Sequence, residues 1–509
     1  MKIRILLFLL FGFFVSSAQE MLQVGISGSN NQIRVINLHE DGMVVLDKAS
    51  NGLLKIKRID KDLNIVWDVD SELLSKESFM EEYYDGRFLY LLLDQRNSEN
   101  FSVLKISASF AAIQKINIKT VANFELAHFK ASEKGIVLGG SVKTEPFLIF
   151  MEEGSNIPKY VTANLKGEAQ IQSIDTFEDK IMVTFLNKNK KKSQAIIREF
   201  NFSGKITNTT VIPNTEKYEF LSVKYFQNSS QKLILGNYGF GGTNLDGIKS
   251  SQGIYVADLN NSNKIKYYSF ENFKNIFAFL SEKQQERLKK QVEKKKDKGN
   301  EYIFNYRLQI NEVIPDGENL LISAEVYMPE FRNNSLSSPY YGGSTFYPSG
   351  LWGRQYLSNY YWMNSPAFWG YRNRSTQVFD GFKYLEGTVI SLNSDGKINW
   401  DNSMLYKNVR YYQLKNHSKV SMAAVNPIVY YVSDDKFYVT EFDNTGSKSL
   451  FKEYDKTSLN LGTKSKKSEF ENLEHWYDNY FLNWGVQKDS DNKLGYKQMC
   501  FIQKIPIKK

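Results

Sequence analysis

The sequence predicts an all-β repeat protein of the β-propeller type with seven or eight blades, the higher number being preferred. Three observations lead to this prediction: a turn motif that recurs between pairs of strands, a β-rich stretch upstream of most copies, and a final repeat that lacks its last strand. One repeat spans about 40 to 55 residues, which is the size of a propeller blade.

The turn motif consists of an apolar residue, then Asp or Asn, then a short polar turn that leads into a second strand. Its clearest copies are Ile59–Trp67 and Leu392–Trp400, and both end in tryptophan at the same offset. Weaker copies begin at Phe200, Leu259 and Phe442. Tight turns need residues that cap the turn with a side chain or tolerate positive φ, so each copy predicts a β-hairpin.

The last repeat, Tyr480–Ile502, stops before its final strand. A strand from the other terminus, either Leu22–Ile26 or Ile33–Ile36, would complete it, because closure removes exposed sheet edges. A parallel β-helix and a tandem sandwich are the alternative folds. The repeats resemble the PQQ-like and WD40-like blades of secreted bacterial propellers in a broad sense, without the WD40 or kelch signature. That resemblance implies the fold only.

The N-terminus has the pattern of a bacterial secretory signal. Lys2 and Arg4 precede the apolar stretch 5–15, and small residues precede a predicted cleavage between Ala18 and Gln19. The single cysteine, Cys500, is far from that position, so we expect no lipoprotein and no disulfide within the chain. The predicted organisation is a signal peptide at 1–18 and one propeller domain at 19–509, exported to the periplasm or associated with the outer membrane.

Composition limits the class of partner. With 42% hydrophobic and 14% aromatic residues, the chain is not disordered. Its formal charge of +9 falls to +7 when Lys2 and Arg4 leave with the signal. A mild positive charge favours acidic partners such as an anionic membrane surface, but it is too diffuse to indicate nucleic acid.

A first insertion, at 272–299, changes the hydrophobic period from two to that of a helix. Ser281 and Gln284 have the spacing of a capping box, and Leu288 with Val292 forms an apolar pair one turn apart. Residues 287–298 include seven basic and two acidic side chains. The helix therefore either contacts an anionic membrane or a partner, or is a solvated helix that packs on its own protein. The apolar residues expected beneath it in the second case are Phe277, Phe279 and Leu280.

A second insertion, at 331–379, has four arginines, no Asp, Glu or Lys, and three of the seven tryptophans. Tyr, Trp and Arg dominate binding hot spots, and sugar rings also stack on aromatic faces. We therefore predict the main binding site here; the alternative is a loop that folds on the propeller as a small core of its own. The predicted binding residues are Tyr340, Tyr341, Tyr347, Trp352, Arg354, Tyr356, Tyr360, Tyr361, Trp362, Trp369, Arg372 and Arg374.

No catalytic, metal or cofactor motif is recognised. The histidines His39, His128, His417 and His475 lack metal-ligand spacing, and the Ser-x-x-Lys match at 394–397 falls in a predicted turn. The sequence favours a non-enzymatic interaction or scaffold protein of the cell envelope, an accessory subunit of an outer-membrane or secretion assembly that binds an envelope protein or complex. The alternatives are a propeller that binds or processes glycans, and a hydrolase or dehydrogenase with a site in the central channel.

Overall fold

The strands form eight antiparallel sheets, the blades of a β-propeller, which confirms the predicted fold and the higher blade count. Contacts divide the chain into two compact units, Met1–Leu73 with Tyr454–Lys509, and Leu74–Glu453. The computed structural model describes residues 20–27, 33–49, 51–72, 77–95, 100–177, 179–189, 192–215, 217–228, 231–240, 250–260, 264–333, 377–412, 414–423, 426–433, 436–455, 470–488 and 498–506.

The smaller unit contains two blades. Blade 1 consists of β2 (Ile33–Asn37), β3 (Met43–Lys48), β4 (Leu53–Ile59) and β5 (Ile65–Glu72), with a 3₁₀ turn at His39–Asp41. Blade 8 consists of β31 (Phe470–Tyr477), β32 (Tyr480–Lys488), β33 (Gln498–Pro506) and the N-terminal β1 (Glu20–Ile26). Strand β1 pairs antiparallel with β33 and places Val24 opposite Cys500. The first of the two predicted closing segments is therefore confirmed.

The larger unit contains the other six blades. Blade 2 consists of β6 (Glu77–Tyr84), β7 (Phe88–Gln95), β8 (Asn100–Ser107) and β9 (Ile113–Lys119). Blade 3 consists of β10 (Phe124–Ser132), β11 (Gly135–Val142), β12 (Glu145–Glu152) and β13 (Lys159–Thr162). Blade 4 consists of β14 (Glu168–Phe177), β15 (Lys180–Asn189), β16 (Lys192–Asn201) and β17 (Ile206–Pro213).

In blade 5 the first position is shared by two short strands that both pair with β20. Blade 5 consists of β18 (Tyr218–Phe220), β19 (Lys224–Gln227), β20 (Lys232–Phe240), β21 (Gly253–Asp258) and β22 (Ile265–Ser269). Blade 6 consists of β23 (Arg307–Asp316), β24 (Asn319–Asn333), β25 (Gln377–Leu392) and β26 (Ile398–Tyr411). Blade 7 consists of β27 (Lys419–Ala423), β28 (Asn426–Ser433), β29 (Lys436–Phe442) and β30 (Lys448–Asp455).

The recurring turn motif joins the third and fourth strands of a blade. In blade 1, Asp60 Oδ1 accepts hydrogen bonds from the backbone N–H groups of Asp62 at 2.9 Å and Asn64 at 2.8 Å. Asn393 does the same in blade 6, accepting from the N–H of Asp395 at 3.0 Å and of Lys397 at 2.9 Å. The predicted hairpins are confirmed, and the Asp or Asn is the side-chain cap of each turn.

Burial changes systematically across a blade. In blade 2 the second and third strands, β7 and β8, are mostly buried, whereas β9 on the outside alternates with exposed residues. The first strands β6, β10, β14 and β19 contact one another in succession. The first strand of each of these blades is therefore the inner one, which in a propeller lies next to the central channel.

The helix predicted in the first insertion is confirmed between β22 and β23. A 3₁₀ turn at Phe270–Asn272 precedes helix α1 (Glu282–Lys296), and Ser281 with Gln284 forms the predicted capping box. None of the helix residues is buried, but Leu288 and Val292 pack against the apolar core beneath them. These contacts favour the interpretation of α1 as a solvated helix that packs on its own protein.

Replacing Ser281 with alanine is expected to destabilise α1 by about 1 kcal/mol. The Ser281 N–H donates to Gln284 Oε1 at 3.0 Å, and the Ser281 hydroxyl donates to the same oxygen, also at 3.0 Å. Hydrogen exchange of the amides in 282–296 measures the effect, with Lys290→Ala on the exposed face as the control. Equal exchange in both variants would show that the cap does not stabilise the helix.

Candidate functional site

The twelve predicted binding residues all lie within 334–376, outside the described residues, as do Ala18 and Gln19 of the predicted cleavage site. The ends of the predicted insertion are strand rather than loop. Residues 331–333 continue β24 and pair with 377–379 of β25. Strand pairing thus continues into the predicted insertion for three residues at each end.

Blade 6 carries a three-stranded extension, here called the arm, formed by 327–333 of β24, 377–384 of β25 and 409–411 of β26. The three strands are 15, 16 and 14 residues long, against eight for β7 and β8. In the sequence, 334–376 comes between β24 and β25 of blade 6, whereas α1 comes between the last strand of blade 5 and the first strand of blade 6.

Ion pairs join the three strands of the arm. Arg410 on β26 forms ion pairs with Glu330 on β24 and, at 2.8 Å, with Asp380 on β25. Lys383 on β25 lies 3.6 Å from Glu330. Beside these groups is an open cleft of about 520 Å³ lined by Met328, Pro329, Glu330, Phe331, Asp380 and Arg410. The arm therefore offers a mixed polar and apolar surface next to the insertion.

A buried carboxylate lies where the arm leaves the blade. Glu325 is fully buried and accepts hydrogen bonds from the Tyr406 hydroxyl at 2.6 Å, the Ser418 N–H at 2.7 Å and the His417 N–H at 3.0 Å. Burial raises its pKa, although these donors act in the opposite direction. Glu325 thereby ties the arm to the segment that leads into blade 7.

Aromatic rings surround His417 in the same region. The rings of Tyr406, Tyr431 and Tyr411 lie 5.1, 5.2 and 5.4 Å from the His417 ring, measured between centroids. His417 Nδ1 lies 2.9 Å from the Tyr411 hydroxyl, and the Lys415 ammonium lies 3.2 Å from the Tyr411 ring centroid. Burial, and secondly the charge of Lys415, lower the pKa of His417 to about 3, so the imidazole is neutral. The cluster therefore has a structural role, since it packs where the arm joins the blade.

Two carboxylates of blade 6 hold the segment that precedes α1. Glu386 accepts from the N–H of Phe277 at 2.7 Å and of Phe279 at 3.3 Å. Asp401 accepts from the N–H of Lys274 at 2.8 Å and from the N–H of Asn275 at 2.6 Å. Burial raises the pKa of Glu386 to about 7, against the effect of the backbone donors. The first insertion is thus fixed to blade 6 by hydrogen bonds as well as by apolar contacts.

Charged residues of alternating sign lie on the first strands of five consecutive blades. We call this set the inner row: Lys130 on β10, Asp175 on β14, Lys224 on β19, Glu312 on β23 and Lys419 on β27. Lys130 also lies over the ring of Tyr83 on β6, 4.5 Å from its centroid. The first strands bring together residues that are far apart in sequence.

The members of the inner row influence one another electrostatically. Burial lowers the pKa of Lys224, against the attraction of Asp175 and Glu312. Burial raises the pKa of Asp175, although the Ser173 hydroxyl donates to its carboxylate at 2.9 Å. The Glu312 side chain reaches solvent, yet its pKa is raised because the surrounding strands displace part of its hydration. The row is a charged set of side chains that are only partly shielded from solvent.

The sequence analysis missed the inner row, because each member stands alone within its repeat. Strand β10 also carries His128, whose Nε2 lies 3.3 Å from the Ile171 carbonyl and whose pKa burial lowers to about 4. The available signal was one charged side chain on the first strand of each of these repeats. That signal identifies a site only when the blades are aligned with one another.

Other residues whose side chains could take part in a reaction lie in turns or in the protein core. Ser394 and Lys397 lie in the predicted turn between β25 and β26. His475 Nε2 lies 2.8 Å from the Asp478 carbonyl, and burial raises the pKa of the Cys500 thiol to about 12. In the part of the chain that the structure describes, no three His, Cys, Asp or Glu side chains are placed to hold a metal ion. Within the same part, no helix is both long and apolar enough to cross a membrane.

No family model and no curated protein matches the sequence. Solved structures that resemble it include the polysaccharide lyase Uly1, at 8% identity and a TM-score of 0.39, with 84% of this chain and 89% of the lyase covered. The dihydro-heme d1 dehydrogenase NirN matches at 10% identity and a TM-score of 0.41, with 95% of this chain and 78% of the dehydrogenase covered. Prolyl oligopeptidase B from Galerina marginata matches at 10% identity and a TM-score of 0.40, with 91% of this chain covered. This chain spans about half of the length of that peptidase, 56%. At these identities the likeness concerns the fold alone.

Proposed function

We propose that the protein is a non-enzymatic interaction protein of the cell envelope, an exported subunit that attaches to an outer-membrane or secretion assembly through the arm of blade 6 and the insertion it carries. The observation that carries this proposal is the arm itself. Its strands extend beyond the blade, and ion pairs through Arg410 join all three of them. Such an extension adds surface to a blade without adding to the inner strands.

The composition of the connected segment supports binding rather than packing alone. Residues 334–376 contain three tryptophans, three arginines and no acidic residue. Tyr, Trp and Arg contribute most of the binding energy in protein interfaces, because they bury a large area at little rotamer cost. On the arm nearby, Met328 is 37% exposed, and Tyr412, just beyond β26, is 66% exposed. A partner that covers the arm would bury these apolar side chains as well.

Site-specific photo-cross-linking tests this function. A benzoylphenylalanine at Met328 is expected to form an adduct with an envelope protein when the full chain is expressed in the organism that exports it. The matched control places the same group at Ile157, which is 81% exposed on a loop of blade 3. A variant in which a short Gly-Ser linker replaces 334–376 is expected to lose the Met328 adduct.

The outcomes separate the proposed function from its alternatives. Equal adducts at Met328 and Ile157, or an adduct that survives replacement of 334–376, would contradict attachment through the arm. Binding of the purified parent protein to a glycan array, lost on the same replacement, would favour a glycan-binding propeller instead. Detection of hydrolase or dehydrogenase turnover that survives the replacement would favour an enzyme.

A further inference from the structure

We propose that helix α1 carries a binding surface for anionic lipid headgroups, through which the protein contacts a membrane surface without inserting into it. The surface is a row of four basic side chains, here called the basic stripe: Lys283, Arg287, Lys290 and Lys294. The proposal is independent of the attachment through the arm, because it rests on a different element. It is carried by the arrangement of these residues on the helix, by their exposure, and by the contacts that fix α1 to the protein.

The four residues of the basic stripe lie on one side of α1. Their spacing of four, three and four residues follows the helical period, so they fall within about 60° of the helix circumference and extend over about 16 Å of its length. A second row, the acidic stripe, is centred about 90° away and consists of Glu282, Glu286 and Glu293. Charges of opposite sign are therefore separated on the outer surface of the helix.

The other side of α1 is held by the protein, and this sets the direction in which the basic stripe points. Leu288 and Val292 pack against the apolar core beneath the helix. Gln285 Nε2 on the same side donates to the Leu280 carbonyl at 2.9 Å. Because the apolar side is occupied in this way, it is not available to a bilayer. The basic stripe faces away from the protein, so its contact with a membrane is electrostatic.

The basic stripe has no counter-charge within the described part of the protein. All four side chains are exposed, and among the described residues none of them has an ion pair or a side-chain hydrogen bond. The Lys296 ammonium, which lies 3.8 Å from the Glu271 carboxylate, is on the side of the helix nearer the protein. Like charges one helical turn apart repel each other, as Lys283 and Arg287 do. An anionic surface that neutralises the stripe relieves this repulsion.

A flat anionic surface fits this arrangement better than a partner that encloses the helix. A nucleic-acid groove or a protein cleft contacts both flanks of a helix, so it would meet the acidic stripe as well as the basic one. A planar surface contacts one side only. Three of the four basic residues are lysines, which act as point charges, and α1 contains no aromatic residue on which a base or a sugar ring could stack. Lipid headgroups need neither bidentate contacts nor stacking.

Flotation of the purified full chain with lipid vesicles tests the proposal. The probe vesicles contain phosphatidylcholine with about one third phosphatidylglycerol, and vesicles of phosphatidylcholine alone are the uncharged control. We expect binding to the anionic vesicles only, weakened as the salt concentration rises, because exposed charges are screened. Replacing Lys290 and Lys294 together with glutamine is expected to weaken binding about 25-fold, or about fivefold for each charge removed.

Matched variants separate the basic stripe from the net charge of the protein. The double variant Lys119→Gln with Lys159→Gln removes the same charge from exposed positions on blades 2 and 3, and is expected to change binding by less than about twofold. The double variant Lys290→Arg with Lys294→Arg keeps the charge and is expected to bind like the parent. All of these side chains are exposed, so each variant is expected to keep the circular dichroism spectrum of the parent.

The outcomes also separate this surface from the arm. The variant with a Gly-Ser linker in place of 334–376 is expected to bind anionic vesicles like the parent, so failure of attachment through the arm leaves this test unaffected. Loss of vesicle binding in that variant would overturn the proposal, as would binding to uncharged vesicles or equal losses in the Lys119 and Lys159 control. A soluble polyanion such as polygalacturonate that binds as tightly as the vesicles, through Lys290 and Lys294, would indicate an acidic polymer instead of a lipid surface.

Discussion

Replacing Glu325 with alanine is expected to lower the free energy of unfolding of the Leu74–Glu453 unit by about 3 to 5 kcal/mol. The carboxylate is fully buried and accepts from the hydroxyls of Tyr406 and Ser418 and from the N–H groups of His417 and Ser418. Alanine removes the acceptor but leaves the donors in place. An unsatisfied buried donor costs about 1 to 3 kcal/mol, and the cavity adds to that loss.

Urea unfolding followed by circular dichroism measures this change. Glu325→Gln keeps the volume and one acceptor oxygen, so we expect a loss between those of the parent and the alanine variant. Tyr406→Phe removes a single hydrogen bond and is expected to cost about 1 kcal/mol. Glu318→Ala, in the exposed turn before β24, is the control and is expected to change stability by less than about 0.5 kcal/mol. A loss at Glu325 no larger than at Glu318 would show that the hydrogen bonds do not stabilise the arm.

The fold was predictable because its strongest signal is local. The turns at Asp60 and Asn393 need a side-chain oxygen at one position, and that requirement is visible in a few consecutive residues. The capping box of Ser281 and Gln284 is local in the same way. Closure by β1 was predicted with one alternative, because 22–26 and 33–36 have the same apolar pattern and only pairing with β33 distinguishes them.

The described part of the candidate site was not predictable, because its contacts join distant residues. Glu325 and Ser418 are brought together by the order of blades 6 and 7, and Lys224 and Glu312 by the order of blades 5 and 6. Single charged residues in separate repeats have no spacing that a motif search would detect. The arm was missed for a related reason, since a strand that extends into an insertion has the same alternating pattern as one that ends at the blade.

Stability of the Leu74–Glu453 unit is expected to fall by about 3 kcal/mol through Glu386 as the pH rises from below 4.5 to above 7. Burial raises the pKa of Glu386 from an ordinary value of 4.5 to about 7, and the charge of Asp401 acts in the same direction. The folded state therefore holds the proton over a pH range in which the unfolded chain has lost it. The stabilisation is complete below about 4.5 and disappears as the pH passes 7.

Glu386→Gln isolates this contribution from that of other buried carboxyl groups such as Glu325. Glutamine carries no proton to lose, and its side-chain oxygen still accepts from the N–H of Phe277. Unfolding free energies measured between pH 4.5 and 8 are expected to decline more steeply for the parent than for this variant. Glu318→Gln, whose side chain is exposed, is expected to follow the parent curve. Parallel curves for the parent and Glu386→Gln would mean that Glu386 titrates near its ordinary pKa, and hence that the segment before α1 does not shield its carboxyl from water.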